Sequence, residues 1–180
     1  MVKADYQNKT IQQQQLIDEL KRKLNKISFS RLGLFIAEIL IVALIINFGF
    51  EWFFGVLLLI PLVLFLFLVK KQISVQRQLT YAGQLLWVYQ NEINQLSTGK
   101  NGYDDGSAYA DEYHPYSSDL DIFGQGSLYS FINRCNIIEA LDMLAANLGG
   151  PSDKVTILQR QEAIAELKTH IEQTFLCRAE

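Results

Sequence analysis

GLFIAEILIVALIINFGF, residues 33–50, and WFFGVLLLIPLVLFLFLV, residues 52–69, decide the fold of this chain. Each run holds 18 residues, roughly 27 Å of helix at 1.5 Å per residue. That length just crosses a hydrocarbon core of about 30 Å when the flanking side chains reach outward. Lipid supplies no hydrogen bonds, so a spanning segment must pair its own backbone groups, and a helix does so locally. Only Glu51 separates the runs, beside Gly49 and Trp52. So short a link predicts a hairpin whose second helix returns antiparallel to the first.

The flanks assign its direction. Lys21, Arg22, Lys23, Lys26 and Arg31 precede the apolar block, and Lys70, Lys71 and Arg77 follow it; the link carries no basic residue. Positive charge favours the cytoplasmic side, so both termini are expected there. Trp52, Phe53 and Phe54 suit the aromatic belt at the far interface. Glu38, Trp52, Lys70 and Lys71 are therefore the expected membrane-interface residues. Glu38 stands inside the first run, where an ionisable side chain is either a proton or ion site or a group that snorkels. Its place near the cytoplasmic end favours snorkelling, or pairing with Lys70 or Lys71. Pro61, inside the second run, is expected to kink its helix.

Outside the membrane the apolar residues keep a helical period. Residues 1–31 form an amphipathic helix with Ile17, Leu20, Leu24 and Ile27 on one stripe. Residues 70–97 repeat the pattern with Val75, Leu79, Ala82, Leu86, Tyr89, Ile93 and Leu96, spaced by threes and fours as in a coiled coil. The expected fold class is mainly α: a transmembrane hairpin (residues 32–69) continued by two long antiparallel helices, then a small helical segment at 119–180. The stripes pack on each other or on a second protomer, making a homodimer one expected partner beside the lipid bilayer.

Residues 98–118 break the period. Gly99, Gly102, Gly106 and Pro115 punctuate an acidic stretch holding Asp104, Asp105, Asp111, Glu112 and His114. The spacing lacks the alternating ligands and closing glutamate of a calcium loop, so a solvated connector ending in an ordered segment is expected and no metal ligand is assigned. His114 orders the loop, and His170 sits on a solvated helix face. Cys135 and Cys177 are too far apart for a zinc pattern and are read as free thiols. The net charge of −3 gives the whole chain no electrostatic bias toward nucleic acid.

From His114 the text reads HPYSSDLDIFGQGSLYSFINRCNIIEALDMLAANLGGPSDKVTILQRQEAIAEL. Ser127 is placed to cap a helix bearing Leu128, Phe131, Ile132, Cys135, Leu144 and Leu148, ended by Gly149, Gly150 and Pro151. Ser152 or Asp153 starts another, with Val155, Leu158, Ala163, Ile164 and Leu167. This stretch, about Tyr113 to Leu167, resembles the core-domain entry of the DNA mismatch-repair MutS family. Ser127 and Leu128 match its helix opening, Leu144 a later helix position, Leu148 and Pro151 its end. Ile157, Arg160, Ala163, Ile164 and Leu167 match the motif that follows. With two apolar runs upstream, the chain looks most like the membrane-anchored MutS-related proteins of bacteria.

The resemblance implies a bacterial inner-membrane, multi-pass protein whose full-length relatives are ATPases binding ATP, Mg and DNA. This chain departs from the pattern with Cys135 and Ile137 where threonines are usual, and Ala140 where glycine is. It has no phosphate-cradling G-x-x-x-x-G-K-S/T loop and no mismatch-reading aromatic motif. It is therefore expected to be non-catalytic by itself, with no cofactor of its own, and to meet DNA only through a full-length MutS-like protein. It reads as the anchoring and core-entry portion of such an ATPase. The alternative is a stand-alone membrane scaffold that dimerises or recruits partners through its heptad helices.

Overall fold

A computed structural model describes residues 2–49 and 52–179. The architecture is mainly α, and no strand occurs among the described residues. Two helices dominate: α1, Val2–Phe48, and α2, Trp52–Thr98. Four short ones follow: α3, Leu128–Ile132, α4, Ile138–Gly149, α5, Lys154–Leu167, and α6, Ile171–Arg178. A 3-10 turn at Ser107–Tyr109 and another at Lys168–His170 complete the set. The turn expected at Glu51 lies outside the described residues, as do the side chains of Phe53 and Phe54.

Both long helices run 47 residues, about 70 Å each. Neither is interrupted where hydropathy changes, near residues 31 and 69. The chain instead divides into two compact units at other points: Gln13–Gly83, and residues 1–12 with 84–180.

In the first unit α1 and α2 lie side by side. Arg31 donates from Nη1 to Gln72 Oε1, and its guanidinium carbon stands 4.8 Å from the Phe65 ring centroid. A link of three residues, 49–51, between helices that meet at these positions makes them antiparallel. Ile17, Leu20 and Ile27 are buried on α1, and Val75 and Ala82 on α2, with Leu24 and Leu79 half-buried. Those stripes are as expected. Farther along, the apolar side chains face outward: Phe35, Ile39, Leu40, Ile46, Leu59, Val63 and Phe67 are exposed. Both helices are long and apolar enough to cross a membrane. Helix α2 continues through Pro61, which is buried. Glu38 is half-buried, and no ion pair joins it to Lys70 or Lys71 among the described residues, which leaves snorkelling of the two expected alternatives.

In the second unit the end of α2 changes face. Leu85, Val88 and Tyr89 are buried, Leu86 and Ile93 are half-buried, and Leu96 is exposed. The seven-residue stripe expected there gives way to a row set about one residue earlier, where polar side chains of α2 meet the loop of this unit. The buried row becomes Val88, Asn91 and Gln95, with Glu92 half-buried beside it, polar for most of its length.

The helix expected from Ser127 to Gly149 is two helices. Ser127 does cap α3, its hydroxyl accepting from Ser130 N at 3.1 Å, but α3 ends at Ile132. Asn133 stops it: the amide donates to Asp104 O at 2.9 Å and its carbonyl oxygen accepts from Cys135 N at 2.8 Å. A side chain offering the backbone an alternative partner is how asparagine breaks helices. The end at Gly149 is as expected, and Asp153 caps α5 by accepting from Thr156 N at 3.0 Å.

Candidate functional site

The polar row on α2 is where the second unit assembles. Asn91 Oδ1 accepts from Gly102 N at 3.0 Å, and Gln95 Oε1 accepts from the Asn101 amide at 2.9 Å. The same Asn101 amide also donates to Ser130 O at 2.9 Å. The acidic stretch is thus pinned onto α2: Tyr103, Gly106 and Ser117 are buried, while Asp104, Asp111 and Glu112 stay exposed to solvent. Its carboxylates serve the backbone, Asp104 accepting from Gly106 N at 2.7 Å and Asp105 from Ser107 N at 2.9 Å. Glycine is required at position 106, where φ is +76° and an added Cβ would lie 2.7 Å from Tyr129 Cδ1.

Glu92 is the centre of a charge cluster. Its carboxylate accepts from Arg134 Nε at 2.7 Å and Nη2 at 3.2 Å, and from Arg178 Nη1 at 2.7 Å. Glu92 and Arg178 are about one-eighth exposed by side chain, at 12% and 13%. Burial alone would raise the Glu92 pKa, but the hydrogen bonds from Arg134 and then Arg178 outweigh it and hold the carboxyl below its ordinary value. Arg134 also stacks over Tyr103, 5.5 Å from the ring centroid, and Tyr103 meets Trp87 edge-on at 5.1 Å. Burial pushes the Tyr103 phenol up, against the lowering influence of Arg178.

Beside it stands an aromatic trio. Phe175 of α6 packs edge-on against Tyr6 of α1 at 5.6 Å and Tyr89 of α2 at 5.5 Å. Arg178 lies 4.3 Å over Phe175, and Lys9 donates to Glu172 at 2.6 Å. Three helices from distant parts of the sequence are thereby joined. An open cleft of about 470 Å³ runs along this junction, lined by Glu92, Arg134, Cys135, Leu144, Phe175 and Arg178 among others.

The His114-Pro115-Tyr116 segment has a defined task. Gly149 O accepts from His114 Nε2 at 2.7 Å and from the Tyr116 hydroxyl at 3.0 Å. His114 Nδ1 accepts from Ser117 N at 3.2 Å. These bonds together select the Nε2–H tautomer, and they satisfy a carbonyl that the end of α4 would leave unpaired. His114 therefore orders the loop as expected, and His170 is exposed on its 3-10 turn.

The residues expected from the MutS-like motif do not converge. Ser127 is buried at its cap and Leu144 half-buried in the cleft, while Leu128, Pro151, Ile157 and Ala163 are exposed. Arg160 fastens α5 to the end of α4, donating to Asn147 Oδ1 at 2.7 Å and Ser152 Oγ at 3.0 Å. The chain matches no family model, no curated protein and no solved structure. Both cysteines are free. Sequence reasoning missed the Glu92 cluster, although one signal was present: Glu92 is the sole carboxylate between Glu51 and Asp104.

In the other unit, Arg31, Val69, Gln72, Ile73, Gln76 and Arg77 line a cleft of about 260 Å³. It lies where both apolar runs give way to polar sequence.

Proposed function

We propose that this chain is a membrane-anchored scaffold. Helices α1 and α2 hold it in a bilayer as a hairpin, and the unit containing Glu92 presents a cytoplasmic surface to a partner. The observation carrying this reading is the state of the apolar windows: 0% of one and 6% of the other is buried in the protein. Two 18-residue apolar windows left uncovered need an apolar solvent, and a hydrocarbon core is one. The basic flanks of both runs support placing the termini on the cytoplasmic side. The test uses alkaline extraction and the exposed thiol of Cys177. The chain should stay in the membrane pellet, and a membrane-impermeant maleimide should label Cys177 in inverted vesicles but not in right-side-out ones. Release into the supernatant would sink the anchor, and labelling in right-side-out vesicles would reverse the orientation.

The MutS resemblance extends this proposal: the same surface would be the entry to a MutS-like core, passing contact to an ATPase domain. Its support is the motif itself, with Ser127 opening α3 and Pro151 following α4. Salt-dependent binding of duplex DNA by the solubilised chain would favour it; no binding at low salt would leave the scaffold role alone.

A further inference from the structure

We infer that the cleft lined by Arg31, Gln72, Gln76 and Arg77 is a binding site for a phosphate oxyanion, supplied by the headgroup of an anionic phospholipid. The inference rests on the membrane reading above, since that reading puts the cleft at headgroup level. Arg31 closes the polar stretch just before the first apolar run, and Gln72 follows the second by three residues. Arg77 is farther on by about one and a half turns, but Cα–Cβ bonds lean toward a helix's N-terminus. On α2 that direction is toward the bilayer, and on α1 it is away from it. The two arginines thus reach toward one depth from opposite directions, and both line the same cleft.

Charge makes the cleft a site rather than a gap. Residues 21–37 and 68–91 contain Lys21, Arg22, Lys23, Lys26, Arg31, Lys70, Lys71 and Arg77, and no aspartate or glutamate. Neither Arg31 nor Arg77 has an ion-pair partner among the described residues. Arg31 is not free to retreat into solvent. Gln72 and the Phe65 face hold it, and its Nε–H is buried without an acceptor. Two like charges facing one cleft repel unless an anion lies between them. Guanidinium groups and side-chain amides are the donors that suit phosphate oxygens, and Val69 and Ile73 offer an apolar wall to the attached acyl chains.

The experiment is native mass spectrometry of the full chain in non-ionic detergent. It is titrated separately with phosphatidylglycerol, phosphatidylcholine and inorganic phosphate. One phosphatidylglycerol should be retained at concentrations where phosphatidylcholine and inorganic phosphate are not. Arg31→Gln with Arg77→Gln should weaken retention about 25-fold, from roughly five-fold per cation at a headgroup surface. The variant Lys21→Gln with Arg22→Gln carries the same charge change outside the cleft and should lose less than about three-fold. Arg31→Lys with Arg77→Lys keeps the charge and should recover part of the affinity, which separates binding from misfolding. Equal losses in the two glutamine variants would overturn the site in favour of a diffuse basic belt. Equal retention of both lipids would also overturn it, and tight binding of inorganic phosphate alone would overturn the lipid source. Alkaline extraction of the same preparations separates the two readings. A chain that stays in the pellet without selective lipid retention refutes the site only, while a chain that is released refutes the membrane anchor and the site together.

Discussion

Glu92 shows how one carboxylate can hold three parts of a chain. It receives Arg134 from the segment after α3 and Arg178 from α6. Glu92→Gln leaves two arginines partly buried without their anion, which costs about 3 kcal/mol. Hydrogen exchange across residues 171–178 should then accelerate by about two orders of magnitude while residues 17–27 stay protected. The pH dependence follows from the direction of the shift. The folded carboxyl titrates below the ordinary value of 4.5, so its stabilisation is full above that value. It fades as pH falls through the depressed one. Protection of α6 in the natural chain should therefore hold at the ordinary carboxyl value and drop only as pH falls below it, through the depressed one, and in Glu92→Gln this step should be absent. Gly106 is the second decisive residue. Gly106→Ala meets both a left-handed φ of +76° and the Tyr129 ring. It should destabilise the unit by at least about 1–3 kcal/mol, read as a lower midpoint in denaturant with α1 helicity retained. A polar residue's partner is hard to read from sequence: Glu92 lies 42 positions from Arg134 and 86 from Arg178, and only folding reveals which cations arrive.

Elements obey local rules until a side chain far away intervenes. The stripe Ile17, Leu20, Ile27 and its counterpart Val75, Ala82 were readable because a helix repeats every 3.6 residues and buries one face. Leu20 is 3% exposed, so Leu20→Asp places an unpaired charge in the seam, at a cost of several kcal/mol. Limited proteolysis should then cut within residues 13–31 and 70–83, while alkaline extraction still finds the chain in the pellet. Unchanged protection there would mean that the two stripes are not a packing surface. The break at Asn133 was not readable from period alone, since Leu128, Phe131, Ile132 and Cys135 continue a helical pattern. Asn133→Ala removes the bonds to Asp104 O and Cys135 N and should cost about 2 kcal/mol. His114→Ala should loosen the end of α4 in the same way, seen as faster exchange at residues 146–149 without change in α6.

At the scale of the molecule, the proposed membrane hairpin makes a prediction about the chain's two ends. A cysteine placed at Lys3 should label from the same membrane face as Cys177, since a two-span hairpin returns its ends to one side. Opposite labelling would mean that only one helix crosses. The mainly α class and the two apolar helices were determined by the sequence itself. Chain length, hydropathy and backbone hydrogen bonding act locally, and in an apolar medium they leave helix as the state that pairs every group. The caps at Ser127 and the stop at Gly149 were determined in the same way, by bonds spanning a few residues. Tertiary structure alone decided that the compact units part at Gln12–Gln13 and Gly83–Gln84, that Asn91 and Gln95 hold the acidic loop, and that Tyr6, Tyr89 and Phe175 meet. Those outcomes depend on which distant surfaces can be desolvated together, a balance of burial against unpaired polar groups that no window of adjacent residues contains.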